Sequence, residues 1–209
     1  MRFARVIEAV RTTGADLFLI AGDLFDHNRV QGGIIDFVIA QLARVSCPTV
    51  IIAGNHDCWV ERSALQRTDF SQAGPHVALL DAPQGRQIEL PAIHATVWGR
   101  CMLNHVPENR PMAGAPARIG DRWHIGMAHG LYTEDPDTPR SSLITPREIE
   151  ASGFDYLALG HVHAHRQMRH GATLACYPGV PAADGIKAGC FALVELTPGA
   201  PARAVAQTL

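Results

Sequence analysis

Four short polar islands stand out along the chain: Gly22-Asp23-Leu24-Phe25-Asp26, Gly54-Asn55-His56-Asp57, Ala128-His129-Gly130 and Gly160-His161-Val162-His163. Together they offer a carboxylate whose two oxygens can bridge a pair of cations, a neutral amide oxygen and several imidazole nitrogens. Such a mixture of donors suits Mn²⁺, Fe²⁺ or Zn²⁺ better than Ca²⁺ or Mg²⁺. Two such cations roughly 3.5 to 4 Å apart would clamp a phosphoryl group and make hydroxide available from a bridging water near neutral pH. The chemistry these residues point to is metal-assisted hydrolysis of a phosphoester.

Each island follows an apolar run of strand length, and open α/β sheets gather their ligands just past the carboxyl ends of such strands. Residues 2–13 carry Phe3, Val6, Ile7 and Val10 at helical spacing with Gly14 as a C-terminal cap, which predicts a first helix. Asp16 to Ala21 then reads as a strand buried on both faces and ending at Gly22-Asp23. Ile34, Ile35, Val38, Ile39, Leu42 and Val45 predict a second helix, and Pro48 to Ala53 a second buried strand, completing a βαβ pattern. Shorter strands are expected over 77–80, 87–90 and 94–98, a loop over 100–120, and a strand over 123–128 ending at His129. Residues 132–142 read as an exposed loop near the site. Thr145-Pro146-Arg147-Glu148 combines a Thr N-cap, a Pro at the first helical position and a Glu at the third, so a capped helix is expected up to Gly153. Strands over 154–159, 173–177, 190–196 and 203–207 close the pattern.

Composition narrows the class. At 209 residues and 47% hydrophobic content, a single domain over residues 1–209 is expected. No run approaches the roughly 20 apolar residues of a membrane helix and no signal-peptide core follows Met1, so a cytoplasmic protein is expected. Five scattered cysteines without a C-x-x-C pair argue for reduced thiols over a disulfide framework or a zinc-cysteine site. A net charge of -2 gives no bulk electrostatic case for nucleic-acid binding.

In order and spacing the islands resemble the calcineurin-like metallophosphoesterase superfamily, whose signature runs D-x-H, G-D, G-N-H-[DE], H, G-H-x-H; the last four elements match over essentially the whole chain. The resemblance implies a four-layer αββα sandwich and two divalent cations, with manganese the first to try. It implies that Asp23 bridges both cations, that Asn55, His129 and His161 complete one shell, and that His163 belongs to the other. His56 takes the place of the catalytic histidine, with Asp57 orienting its ring. The first element, D-x-H, has no counterpart, and with it the sandwich lacks its first strand; the expectation is a true start further upstream. An impaired relative, or substitution by Asp26 or His27, are the alternatives.

The stretch 152–161, with Tyr177-Pro178-Gly179 and Gly189-Cys190-Phe191, most resembles the DNA-repair exonuclease branch, similar to the nuclease subunit of the SbcCD and Mre11 complexes. A phosphoester substrate is therefore expected, with DNA as a candidate, and a homodimer or an ATPase subunit as candidate partners. Small-molecule phosphodiesterase or phosphomonoesterase activity, or a non-catalytic binding role on the same fold, are the competing readings. Asp26, His27 and His165 read as neighbours of the site, and His76, His94, His105 and His170 as surface residues. Trp98, Trp123 and Tyr177 read as packing residues.

Overall fold

The computed structural model describes residues 2–181 and 189–209. In chain order the elements are α1 (Arg2–Thr13), β1 (Phe18–Ala21), α2 (Gly32–Leu42), β2 (Thr49–Ile52), α3 (Ala64–Arg67), β3 (Val77–Leu79), β4 (Arg86–Leu90) and β5 (Ala95–Gly99). They continue with β6 (Trp123–His129), β7 (Leu131–Tyr132), β8 (Leu143–Ile144), α4 (Pro146–Ser152), β9 (Tyr156–Gly160), β10 (His165–His170), β11 (Thr173–Pro178), β12 (Cys190–Glu195) and β13 (Arg203–Thr208).

Two sheets carry the architecture. β1, β2 and β3 form a parallel sheet in that order. The larger sheet runs β10-β11-β9-β6-β5-β4, with β11, β9, β6 and β5 parallel and β10 and β4 antiparallel at its two edges.

The alternation of side chains along these strands sorts them into layers. Val50 and Ile52 of β2, with Leu19 and Ala21 of β1, face Val97, Ile125, Met127, Tyr156 and Ala158 of the larger sheet in a core between the sheets. Phe18, Ile20, Ile51 and Ala53 point the other way, onto Ile7 and Val10 of α1 and Ile35, Val38 and Leu42 of α2. On the far face of the larger sheet Ala128, Leu157, Leu159 and Ala175 pack with Ile149 of α4 and with Phe154. Helices, sheet, sheet and helix make the αββα sandwich.

β2, the central strand of the small sheet, is buried at every position. β1 departs from the expected burial on both faces: all four of its residues are only half-buried, because its ladder runs along β2 alone. Among the described residues the antiparallel hairpin β12–β13 forms a two-stranded sheet of its own, and adds Ala192, Val194 and Ala204 to the core between the sheets.

Local chemistry explains the helix that positions the last island. Thr145 accepts from the Glu148 N–H and the Glu148 side chain accepts from the Thr145 N–H, the expected capping box, and Gly153 ends α4 in the left-handed conformation at φ +63°. Two satisfied end groups at α4 define where β9 begins. Among the described residues no helix is long and apolar enough to cross a membrane, and the five cysteines are free thiols.

Candidate metal centre

The carboxyl ends of β1, β2, β6 and β9 meet at one point, and His129 stands in the middle of it. His129 is almost wholly buried, at 2% exposure. Its Nδ1 lies 2.7 Å from the Ala21 carbonyl; a carbonyl only accepts, so Nδ1 carries a proton and Nε2 is turned inward. Nε2 faces Asn55 Oδ1 at 2.9 Å and Asp23 Oδ2 at 3.3 Å. His161 Nδ1 approaches the same Asn55 oxygen at 2.8 Å.

Three glycines make this convergence sterically feasible. A Cβ on Gly22 would stand 2.3 Å from His129 Nδ1, one on Gly54 would stand 2.2 Å from Asp23 Oδ1, and one on Gly160 would stand 1.8 Å from the Ala21 carbonyl oxygen and 2.6 Å from His129 Nδ1. The glycine preceding Asp23, Asn55 and His161 in each island is therefore the residue that lets backbone and imidazole close on each other. His129 pairs directly across from Gly160 in the β6–β9 ladder, which fixes His161 one residue away.

Two of the donors sit on unusual backbone. Asp23 has φ +54° and His161 φ +100°, in the left-handed half of the map that non-glycine residues rarely occupy and that is retained where function requires it. The turn at His161 swings its ring into the cluster.

Asp57 has a different place from the one expected. Its side chain is fully buried, and its carboxylate accepts backbone N–H bonds from Gly54 at 2.7 Å and from Asp23 and Phe25 at 3.2 Å each. Those three bonds tie the loop after β1 to the loop after β2, so Asp57 positions Asp23 and Asn55. The His56 ring is oriented instead by the Asp26 carbonyl, which accepts from Nδ1 at 2.8 Å. The Asp57 oxygens are turned inward to these backbone groups. The His56 N–H in turn donates to Asp23 Oδ1 at 2.9 Å.

Electrostatics follow from burial and from this crowding. Burial pushes the Asp23 carboxyl up, but the hydrogen bond and charge of His129 and the N–H and ring of His56 outweigh it and hold the group below its ordinary range. Burial pushes Asp57 up, with the Asp23 carboxylate adding to the rise and the Gly54 and Phe25 N–H groups opposing it. For His161, burial first and then the neighbouring His129 and His105 rings bring the imidazole down to about 4, so it is neutral at pH 7. A neutral imidazole is the form that binds a metal.

This donor set fits one divalent cation. One carboxylate oxygen, one amide oxygen and two ring nitrogens follow one another at 3.3, 2.9 and 2.8 Å. Ligands at right angles around an ion with bonds of about 2.1 Å stand about 3.0 Å apart. The Ala21 carbonyl holding Nδ1–H is the outer-shell partner that metal-bound histidines characteristically have. Among the described residues no three His, Cys, Asp or Glu side chains form a metal-binding group by themselves; the set reaches four donors through the Asn55 amide.

The structure thus brings together Asp23, Asn55, His129 and His161, with His56 at their rim. His163 stands outside this run of contacts: its side chain is exposed at the bend after β9, yet close enough for its charge to act on the His161 ring. Asp26 is also turned to solvent, its carboxylate 3.9 Å from His56 Nδ1, and His27 accepts from the Arg29 N–H. His124, close to His129 in sequence, is a packing residue against Phe154, bonded to Thr96 and Pro116. His105 was expected on the surface; its ring is exposed but lies 5.1 Å from that of His161. Only the chain's folding reveals that neighbour, because no strand or glycine precedes it.

The Calcineurin-like phosphoesterase family profile matches residues 2–165. The chain belongs to that family. This calcineurin-like phosphoesterase is 29% identical over 204 residues to the uncharacterized metallophosphoesterase YhaO of Bacillus subtilis, covering 87% of this chain and 45% of that protein. It is 26% identical over 192 residues to the DNA double-strand break repair protein Mre11 of Methanopyrus kandleri, covering 86% and 42%. The chain spans less than half the length of these relatives. In fold it resembles TT1561 of Thermus thermophilus, with a TM-score of 0.65 over 99% of this chain and 92% of that one at 10% identity.

Proposed function

We propose that this calcineurin-like phosphoesterase is a divalent-metal-dependent hydrolase of phosphodiesters, and that residues 1–209 act as one cytoplasmic metallophosphoesterase domain. The observation that carries the reading is the unbroken run of donors from Asp23 through His129 and Asn55 to His161. These four residues would hold one cation, Mn²⁺ being the first to test and Fe²⁺ or Zn²⁺ the alternatives. A second cation would share Asp23 and call on His163. When bound, divalent cations of this kind polarise a phosphoryl oxygen and lower the pKa of water.

The protein's own groups do the rest. Asp57 keeps Asp23 and Asn55 at a fixed spacing through the backbone. With Nδ1–H given to Asp26, His56 presents Nε2 to a phosphoryl oxygen or the leaving group, and donates there when the ring is protonated. The left-handed turn at His161 keeps its neutral ring in the cluster.

DNA as substrate, with a homodimer or an ATPase subunit as partner, rests on the likeness to Mre11; the near-neutral charge favours a small phosphodiester. A panel of single-stranded DNA, cyclic nucleotides and nucleotides decides between them. A non-catalytic, single-cation protein is the second reading, favoured by the exposure of His163. Hydrolysis of bis-p-nitrophenyl phosphate with Mn²⁺, abolished in Asp23→Ala and in His161→Ala, supports the hydrolase. Retained turnover in both rejects the site. Metal analysis giving a single equivalent without turnover supports the second reading.

A further inference from the structure

His105 is the polar side chain at this site that the phosphodiesterase reading leaves without a task. It belongs to the irregular stretch between β5 and β6. Its ring is tilted at 43° to that of His161 with 5.1 Å between centroids, close enough to interact electrostatically with Asp23, His56 and His129.

The ring is held from below by a residue from another loop. Ser142 is fully buried, and its Oγ lies 3.0 Å from His105 Nδ1 and 2.9 Å from Asn109 Nδ2. The Asn109 amide nitrogen can only donate, so it donates to the hydroxyl oxygen. The hydroxyl proton then needs an acceptor, because a buried O–H without one is strongly disfavoured. Among the described residues that acceptor is His105 Nδ1. The relay therefore runs from Asn109 to Ser142 to His105, and the neutral ring carries its own proton on Nε2.

Ser142 is built for this position at some strain. It holds φ +55°, left-handed for a non-glycine residue. Its N–H donates to the Val106 carbonyl, next to His105, and its carbonyl accepts from Leu131. A Cβ on Gly130 would stand 2.1 Å from that carbonyl oxygen, so the segment carrying His129 and the segment carrying His105 are both pressed against Ser142.

We infer that His105 is a further substrate-contacting residue, whose Nε2–H donates to a non-bridging oxygen of a phosphoester held at Asp23, Asn55, His129 and His161. Ser142 and Asn109 are positioning residues that fix its tautomer. A donor locked in one tautomer matches an anionic phosphoryl oxygen, which only accepts. The inference rests on the phosphoesterase reading, and deepens it by naming a group that recognises the phosphoryl oxygens.

The test uses the full chain loaded with Mn²⁺ and inorganic phosphate as probe, measured by titration calorimetry. His105→Ala should weaken phosphate binding about tenfold, the loss expected for one hydrogen bond to a charged group, with bound Mn²⁺ unchanged. His105→Gln, whose amide nitrogen replaces Nε2–H, should restore most of it. Ser142→Ala should give an intermediate loss and should also convert the His105 ring to a mixture of tautomers in ¹⁵N spectra of the metal-free protein. Unaltered phosphate affinity in His105→Ala overturns this inference alone, as does an Nδ1–H tautomer for His105 in the unaltered protein. Absence of phosphate binding by the unaltered, Mn²⁺-loaded protein overturns the phosphoesterase reading and this inference with it.

Discussion

Replacing Gly160 by Ala tests whether strand-end crowding builds the metal centre. The added methyl would lie 1.8 Å from the Ala21 carbonyl oxygen and 2.6 Å from His129 Nδ1. The first neighbour is backbone of β1 and cannot rotate aside; the second is the buried ring whose Nδ1–H that carbonyl accepts at 2.7 Å. Overpacking a core costs ~1–3 kcal/mol, and the backbone clash puts this case at about 3 kcal/mol. At ~2–4 °C per kcal/mol for a domain of this size, thermal denaturation should move down by about 6–12 °C. Loss of the outer partner of His129 should also weaken Mn²⁺ binding by about 10- to 100-fold. Gly33→Ala is the control. Nothing lies within 4 Å of a Cβ there, and in the first turn of α2 Ala should stabilise by about 0.4–1 kcal/mol, chiefly through the unfolded chain. Calorimetric melting and Mn²⁺ titration of both variants provide the assay. A Gly160→Ala protein that melts with the parent and binds Mn²⁺ equally well would refute the reasoning.

Three further outcomes follow from individual contacts. Asp57→Ala leaves the N–H groups of Asp23, Phe25 and Gly54 without their acceptor; urea denaturation should show a loss of about 3 kcal/mol or more, and unchanged stability would remove Asp57 from its positioning role. Metal-free protein should lose stability as pH falls from 6.5 to about 4. Across that window the unfolded chain protonates His161 before the native state does, so stability rises with pH there; half-buried and partly screened, the group should contribute about 1–2 kcal/mol, and His161→Asn should flatten the slope in pH-dependent urea melts. Thr145→Ala removes half of the α4 capping box and should cost about 1 kcal/mol, with Mn²⁺ affinity retained.

The sandwich was legible wherever periodicity and punctuation coincide. α1 spans the predicted Arg2–Thr13, and α4 begins at the predicted cap and stops before Gly153, because apolar spacing and end-capping are local properties. β10 was not expected: His165–His170 carries one buried apolar residue, Met168, and is an edge strand whose order comes from pairing with β11. The short β7 and β8 fall at the ends of what reads as one polar loop, and Tyr177 explains part of that, its hydroxyl donating to Gly130 and accepting from Tyr132 at 2.7 Å each. At the centre itself, Asp23, Asn55, His129 and His161 could be named from the islands because each follows a strand and three follow a glycine. The inward turn of Asp57 and the approach of His105 depend on dihedral angles and on loops distant in sequence, which residue spacing does not encode.

The central claim is that Asp23, Asn55, His129 and His161 together hold a divalent cation. Crystals of the full chain grown with Mn²⁺, with anomalous data collected at the manganese edge, test it most directly. The predicted result is a manganese peak within bonding distance of Asp23 Oδ2, Asn55 Oδ1, His129 Nε2 and His161 Nδ1. Manganese bound elsewhere, or no peak among these four atoms at saturating Mn²⁺, would contradict it.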